Sequence, residues 1–224
     1  MPVSSTDKLS TINQEECLLR FMKQPLTYQN GDMDVVIDYY HAATIPPDLA
    51  NWAFQLLKNN LYHLYTRSNL GWDEAAKMTD LQAPEARYLV ARSAHDPSDL
   101  KGFLMFQMVL EETMDDDVMA EVAYCYELQL EEHARSRGLG EYLMQLLFQI
   151  GDFWCMDKVM LTVFKDNTGA IKFYTKKMGF ALDEISPSAC LSARMAKRFD
   201  YEILSRPCHP WSPLHPQRQA TPNI

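Results

Sequence analysis

The sequence predicts an α/β fold on a mixed sheet, and three observations predict it. First, Tyr124, Tyr126, Leu128 and Leu130 alternate with Cys125, Glu127 and Gln129, the two-residue period of a pleated strand. Second, a glycine-bearing turn from Arg135 to Gly140 leads into Tyr142, Leu143, Leu146, Leu147 and Ile150, which recur at helical spacing. Third, Val159 to Phe164 reads as a buried strand followed by a helix from Asn167 to Lys177. Strands and helices in this order build a layered core. The chain has 224 residues, 47% of them hydrophobic, with no repeat and no long linker, so one large domain is expected.

Taken in order, residues 1–12 are polar and Ser/Thr-rich and are expected to be disordered. The domain runs from Asn13 to Arg206. Its first element is a helix over Asn13–Met22, with Cys17, Leu18, Phe21 and Met22 as an apolar stripe and Pro25 as its stop. Met33–Ala42 is the first strand. Ile45-Pro46-Pro47-Asp48 starts a helix carried by Trp52, Phe54, Leu56, Leu57, Leu61, Leu64 and Tyr65. A short helical stretch before Pro84, strands at Arg87–Ser93 and Gly102–Leu110, and the elements already described follow. Between those strands and the Tyr124 strand lies an acidic loop holding Glu111, Glu112, Asp115, Asp116, Asp117 and Glu121. Ser186-Pro187 opens an irregular stretch and Asp200–Ser205 is the last strand. Residues 207–224 form a proline-punctuated tail.

Net charge is −9, which argues against non-specific nucleic-acid binding and suits a basic partner. The five cysteines are scattered, odd in number and without C-x-x-C, as expected of a reducing compartment. The six histidines show no H-x-x-x-H, so no metal is expected. No apolar leader or membrane-length run is present in the sequence, so no membrane role is expected.

The turn at Arg135–Gly140 has a definite chemistry. The first turn of a helix leaves amide N–H groups unpaired at the positive end of the helix dipole. Gly138 and Gly140 allow close approach to that backbone, and Arg135 and Arg137 add charge. A diphosphate fits such a turn. The spacing is neither G-x-x-x-x-G-K-[ST] nor G-x-G-x-x-G, which sets aside a nucleotide P-loop and a dinucleotide site.

R-x-x-G-x-G at Arg135–Gly140, followed by Asn167, Ala170, Phe173, Tyr174, Gly179 and Phe180, resembles the two signatures of the GNAT superfamily of N-acetyltransferases. The wording of Tyr124–Leu130, Lys158–Ala170 and Tyr201–Arg206 is similar to the NatD branch, the N-terminal acetyltransferases of histones. The resemblance covers roughly Asp48 to Arg206.

That resemblance implies the GNAT fold, a mixed, mostly antiparallel twisted sheet flanked by helices. It implies a bulge in the Tyr124–Leu130 strand, a splay from the next strand, and acetyl-CoA as cosubstrate. Arg135, Ser136, Arg137, Gly138, Leu139, Gly140 and Glu141 would hold the diphosphate. Amides around Leu128, Gln129 and Leu130 would polarise the thioester carbonyl, and Thr162 and Asn167 would contact the cofactor. Glu127 is the first choice for the base and Glu111 the second; Tyr174 occupies the position of the usual acid. Tyr65, Glu111, Tyr124, Tyr126 and Tyr201 would bind the acceptor, and Trp72 either joins them or packs in the core. The implied acceptors are the tails of histones H-four and H-two-A, beginning Ser-Gly-Arg-Gly, met by a monomer in cytoplasm and nucleus. A lysine or small-amine acetyltransferase, or a non-catalytic binder of coenzyme A or histone tails, are the competing readings.

Overall fold

The computed structural model describes residues 5–14, 18–19, 22 and 24–208. Eight strands form one sheet in the order β1-β2-β3-β4-β5-β6-β8-β7. They are β1 (Leu26–Asn30), β2 (Met33–His41), β3 (Arg87–Ser93), β4 (Leu100–Glu112), β5 (Met119–Leu130), β6 (Lys158–Phe164), β7 (Ala181–Leu182) and β8 (Tyr201–Pro207). Only β5 and β6 pair in parallel. The helix between them, α4 (Leu139–Phe153), makes the crossover that a parallel pair needs. This is the expected mixed α/β sheet.

Apolar cores lie on both of its faces. On one face, α4 and α1 (Ser5–Asn13) cover Leu104, Phe106, Met108 and Cys125. On the other, α2 (Pro47–Tyr65) and α3 (Glu74–Leu81) cover Tyr88, Val90, Phe103 and Met105. Asp73 caps α3 by accepting from the Ala76 amide, which fixes where that helix starts beside α2.

The N-terminal expectations need correction. The segment expected to be disordered is helical at Ser5–Asn13, because Leu9 and Ile12, three residues apart, bury against the sheet. Among the described residues the helix expected over Asn13–Met22 does not form. Gln14, Leu18, Leu19 and Met22 sit in turns and bends, and Cys17 and Phe21 lie outside the described residues. Leu18 and Leu19 are both buried, which adjacent residues of a surface helix are poorly placed to be. Trp154 Nε1 donates to the Leu18 carbonyl at 3.1 Å and holds the plug.

Three boundaries also move. Strand β1 went unforeseen because Leu26 is its one buried residue, too few to show a period. The acidic loop is shorter than expected, since β4 runs to Glu112 and β5 starts at Met119. At the C-terminus, Pro207 still pairs with Lys158 and Cys208 is buried against Gly151, so the core reaches past Arg206. The rest of the expected tail, residues 209–224, lies outside the described residues.

The register of β4 and β5 slips by one residue. Phe106 opposes Cys125, but Met105 opposes Glu127, leaving Tyr126 as the extra residue of a β-bulge. In a regular strand Cys125 and Glu127 would share a face. Across the bulge Cys125 stays under α4 with Phe106, while Glu127 turns to the α2/α3 face with Met105.

Gly102 sits opposite this segment. A Cβ there would collide with the Leu130 side chain and lie 2.5 Å from the Gln129 carbonyl oxygen. Backbone cannot yield as a side-chain tip can, so Gly102→Ala is expected to destabilise the fold by about 2 kcal/mol. A fall in the urea midpoint at unchanged slope is the check.

Candidate active site

Strands β5 and β6 pair from Val122↔Lys158 to Cys125↔Leu161 and no further. Beyond that point β6 continues to Phe164 and β5 to Leu130, each without the other. The inner edge of β5 from Tyr126 to Leu130 therefore has no strand partner, and its amides are free to donate to a guest. Tyr124 Oη and Thr162 Oγ1, 2.6 Å apart, bridge the two strands where the split begins.

Two cavities flank the split. One, of about 450 Å³, opens on the α2/α3 side and includes Tyr65, Asp73, Lys77, Tyr126, Glu127 and Phe164 in its walls. The other, of about 940 Å³, lies beside the glycine turn and includes Asn60, Arg135, Ser136, Gly138, Lys172 and Lys176. Leu128, Gln129, Asn167 and Tyr174 wall both, so the cavities meet at the split.

Glu127 is only 7% exposed, a buried carboxylate on the strand. Burial pushes its pKa up to about 7; Lys77 and the hydrogen bond from Gln129 Nε2, at 2.9 Å, pull the other way. Lys77 comes from α3, which no local pattern ties to β5. Its own burial works against its charge, but Tyr65 and Glu127 outweigh that and keep it an ammonium. Its Nζ stands 4.9 Å from the Tyr65 ring centre. Burial and the Glu127 charge together raise the phenols of Tyr65, Tyr88 and Tyr174, with Cys125 adding to the last, so all three remain proton donors at neutral pH.

The turn is braced from a distance. Tyr28 Oη donates to the Arg137 carbonyl at 2.6 Å, Asn30 Nδ2 donates to it at 2.9 Å, and the Arg137 guanidinium pairs with Asp32. The β1–β2 hairpin thus holds the turn in shape. Gly138 has φ +82°, and a Cβ on it would strike the Tyr28 hydroxyl. Its need for glycine is therefore met inside the protein, in addition to any approach by a ligand. Helix α4 begins at once, so the amides of Leu139, Gly140 and Glu141 have no intrahelical acceptor.

Most of the residues singled out in the sequence converge here. Glu127, Leu128, Gln129, Leu130, Arg135, Ser136, Gly138, Gly140, Glu141, Asn167 and Tyr174 wall one or both cavities, as do Tyr65, Tyr124, Tyr126 and Thr162. Others do not enter as side chains. Leu139 is fully buried in the α4 core and Arg137 is turned to Asp32. Asn167 uses its side-chain oxygen to cap the following helix at Ala170. Glu111 lies on β4 opposite Ala120, outside both cavities, with its carboxyl raised by burial. Tyr201 pairs across the sheet with Phe164, which walls the first cavity, but Tyr201 does not. Trp72 packs among Phe54, Tyr62 and Tyr65, the core option. Lys77, Asn60 and the Lys172–Lys176–Lys177 group were not foreseen; only the last group left a trace, as a charge cluster within the second signature.

A family model described as the acetyltransferase (GNAT) family matches residues 58–180, more than half of the chain. The chain belongs to that family. A probable spermine N(1)-acetyltransferase of Bacillus subtilis subsp. natto is 24% identical over 116 residues, 51% of this chain and 74% of its own length. Among solved structures, Arabidopsis thaliana NAA60 in complex with a bisubstrate analogue has TM-score 0.51 and 17% identity, covering 76% of this chain and 97% of that one. A GNAT-family acetyltransferase from Staphylococcus aureus has TM-score 0.53 and 12% identity, covering 77% and 99%. At these identities the structural likeness speaks for the fold. Among the described residues no group of three or more His, Cys, Asp or Glu is placed to hold a metal.

As a GNAT acetyltransferase the protein uses acetyl-CoA, which supplies the acetyl group as a thioester. The site fits that molecule. The turn amides, Arg135 and the lysines after Asn167 suit a diphosphate, and the unpaired β5 edge offers donors to an amide-bearing arm. Glu127, its pKa raised to about 7, stands in the wall of the first cavity, and the protonated Tyr174 phenol stands where the cavities meet.

Two outcomes follow from this geometry. With Glu127 as the base, kcat/KM is expected to rise with pH through about 7 and then level. In Glu127→Gln that limb vanishes and turnover falls about 100-fold, while acetyl-CoA affinity by calorimetry stays nearly intact. Gly138→Val strains a left-handed residue and displaces Tyr28, so the same titration should show at least ~10-fold weaker acetyl-CoA binding.

Proposed function

We propose that this protein is an N-terminal acetyltransferase of the NatD type, moving the acetyl group of acetyl-CoA to the α-amine of histone H-four and H-two-A tails. One observation carries the reading: a buried carboxylate at about 7 faces a small aromatic-walled cavity that meets the cofactor groove at the split. A protein α-amine titrates near 7.7–8.0, so a base of that strength suffices, directly or through one water. Tyr65 and Tyr126 wall the cavity and suit an extended chain terminus. Asp80, Glu85 and Glu111 all act on the Tyr126 phenol, so the surroundings are acidic, as a tail rich in Arg and Lys would favour. The sequence likeness at Tyr124–Leu130 and Tyr201–Arg206 narrows the choice to histones. On this reading Glu111 and Tyr201 meet the peptide beyond its first residue, the protein works as a monomer without nucleic acid or membrane, and it acts in cytoplasm and nucleus.

A second reading has its own support. The relative named for spermine acetylation makes a polyamine the alternative acceptor, and an acidic mouth suits it equally.

The test offers acetyl-CoA with a Ser-Gly-Arg-Gly-Lys peptide, the same peptide with a blocked terminus, and spermine. Mass spectrometry is expected to place acetyl on the free terminus alone. Acetyl on lysine in both peptides would mean a side-chain enzyme, and preferred spermine turnover would mean a polyamine enzyme. No transfer at all, with acetyl-CoA bound, would leave a binding protein.

A further inference from the structure

A line of hydrogen bonds joins the two cavities. Arg135 Nη2 donates to Asn60 Oδ1 at 2.5 Å, Asn60 Nδ2 donates to Gln129 Oε1 at 3.0 Å, and Gln129 Nε2 donates to Glu127 Oε2 at 2.9 Å. Arg135 Nε also holds the Leu130 carbonyl, 3.2 Å away, and Asn60 Nδ2 reaches the same oxygen at 3.3 Å. The order of donors is dictated by chemistry. A guanidinium can only donate and an ionised carboxylate can only accept, so both amides between them have one allowed orientation. Gln129 is 6% exposed and cannot exchange these partners for bulk water.

We propose that Asn60 and Gln129 form a directional relay that links Arg135 of the glycine turn to Glu127, making Asn60 a positioning residue for the base. The inference rests on the reading of Glu127 as the base. Every bond in the line points its dipole from the cation to the carboxylate, so each strengthens the next. Protonation of Glu127 removes the reason for Gln129 to present its N–H₂, and the line loses its single orientation. Asn60 touches no reacting atom in this scheme. It lies on α2 and acts through Gln129, which explains how a helix outside both signatures enters the chemistry.

Other groups face Glu127 too: Lys77 and Asp80 from α3, Tyr65 from α2, Tyr88 from β3, Cys125 from β5 and Tyr174 after β6. They set the baseline from which the relay is read. None of them belongs to it.

The experiment measures kcat/KM for the peptide against pH at saturating acetyl-CoA. Asn60→Leu keeps the volume and helix propensity but can neither donate nor accept. Its acid limb should move up by about half to one pH unit, so the rate at pH 6.5, taken relative to the variant's own high-pH plateau, falls about 3- to 10-fold. Asn60→Gln, which keeps both functions, should restore much of the shift. Arg135→Gln should move the limb the same way, and the double variant no further than either single one. Additive shifts, or a limb unmoved by Asn60→Leu, would overturn the relay. The wild-type limb must itself be lost in Glu127→Gln; if it survives there, the base assignment fails and the relay with it.

Discussion

The structure depends on one extra residue in a strand. Tyr126 has no counterpart on β4, and the slip it makes turns Glu127 from the face it would share with Cys125 to the opposite one. Regular pairing would put a carboxylate among Leu143, Leu147 and Phe106, where nothing charged could answer it. The bulge delivers it instead to the face where α3 brings Lys77. Pairing with β6 stops one residue before the same bulge, so the turned carboxylate and the gap lie side by side on the strand.

Electrostatics at Glu127 is a balance. Burial raises the carboxyl, while Lys77 and Gln129 hold it near the range of the amine it would serve. The glycine turn is likewise fixed by groups remote in sequence: Tyr28, Asn30 and Asp32 hold Arg137, and Asn60 takes Arg135. A turn that binds a flexible diphosphate loses less entropy on binding when its own shape is already fixed.

Much of this was legible in the chain. Strand, turn and helix at Tyr124–Ile150 are local patterns, and so are the second strand and the helix beginning after Asn167; each survives in the fold. The alternation at Tyr124–Leu130 did not say which set is buried: Cys125, Glu127 and Gln129 are, while Tyr124, Tyr126, Leu128 and Leu130 stay partly exposed. Strand β1 and the Ser5–Asn13 helix were missed because each buries too few residues to write a period.

By itself the sequence determined the strand, glycine turn, helix and strand from Tyr124 to Phe164, written in short contiguous segments where backbone propensity and spacing act directly, while its two signatures carried the resemblance to an acetyltransferase family. The tertiary structure alone decided that Glu127 is buried and faces a cavity, that Lys77 acts on it and Asn60 on the neighbouring Gln129 from other elements, and that Arg137 belongs to the hairpin rather than to the groove. Those facts follow from a register shift of one residue and from contacts across the sheet, and neither leaves a mark in local periodicity.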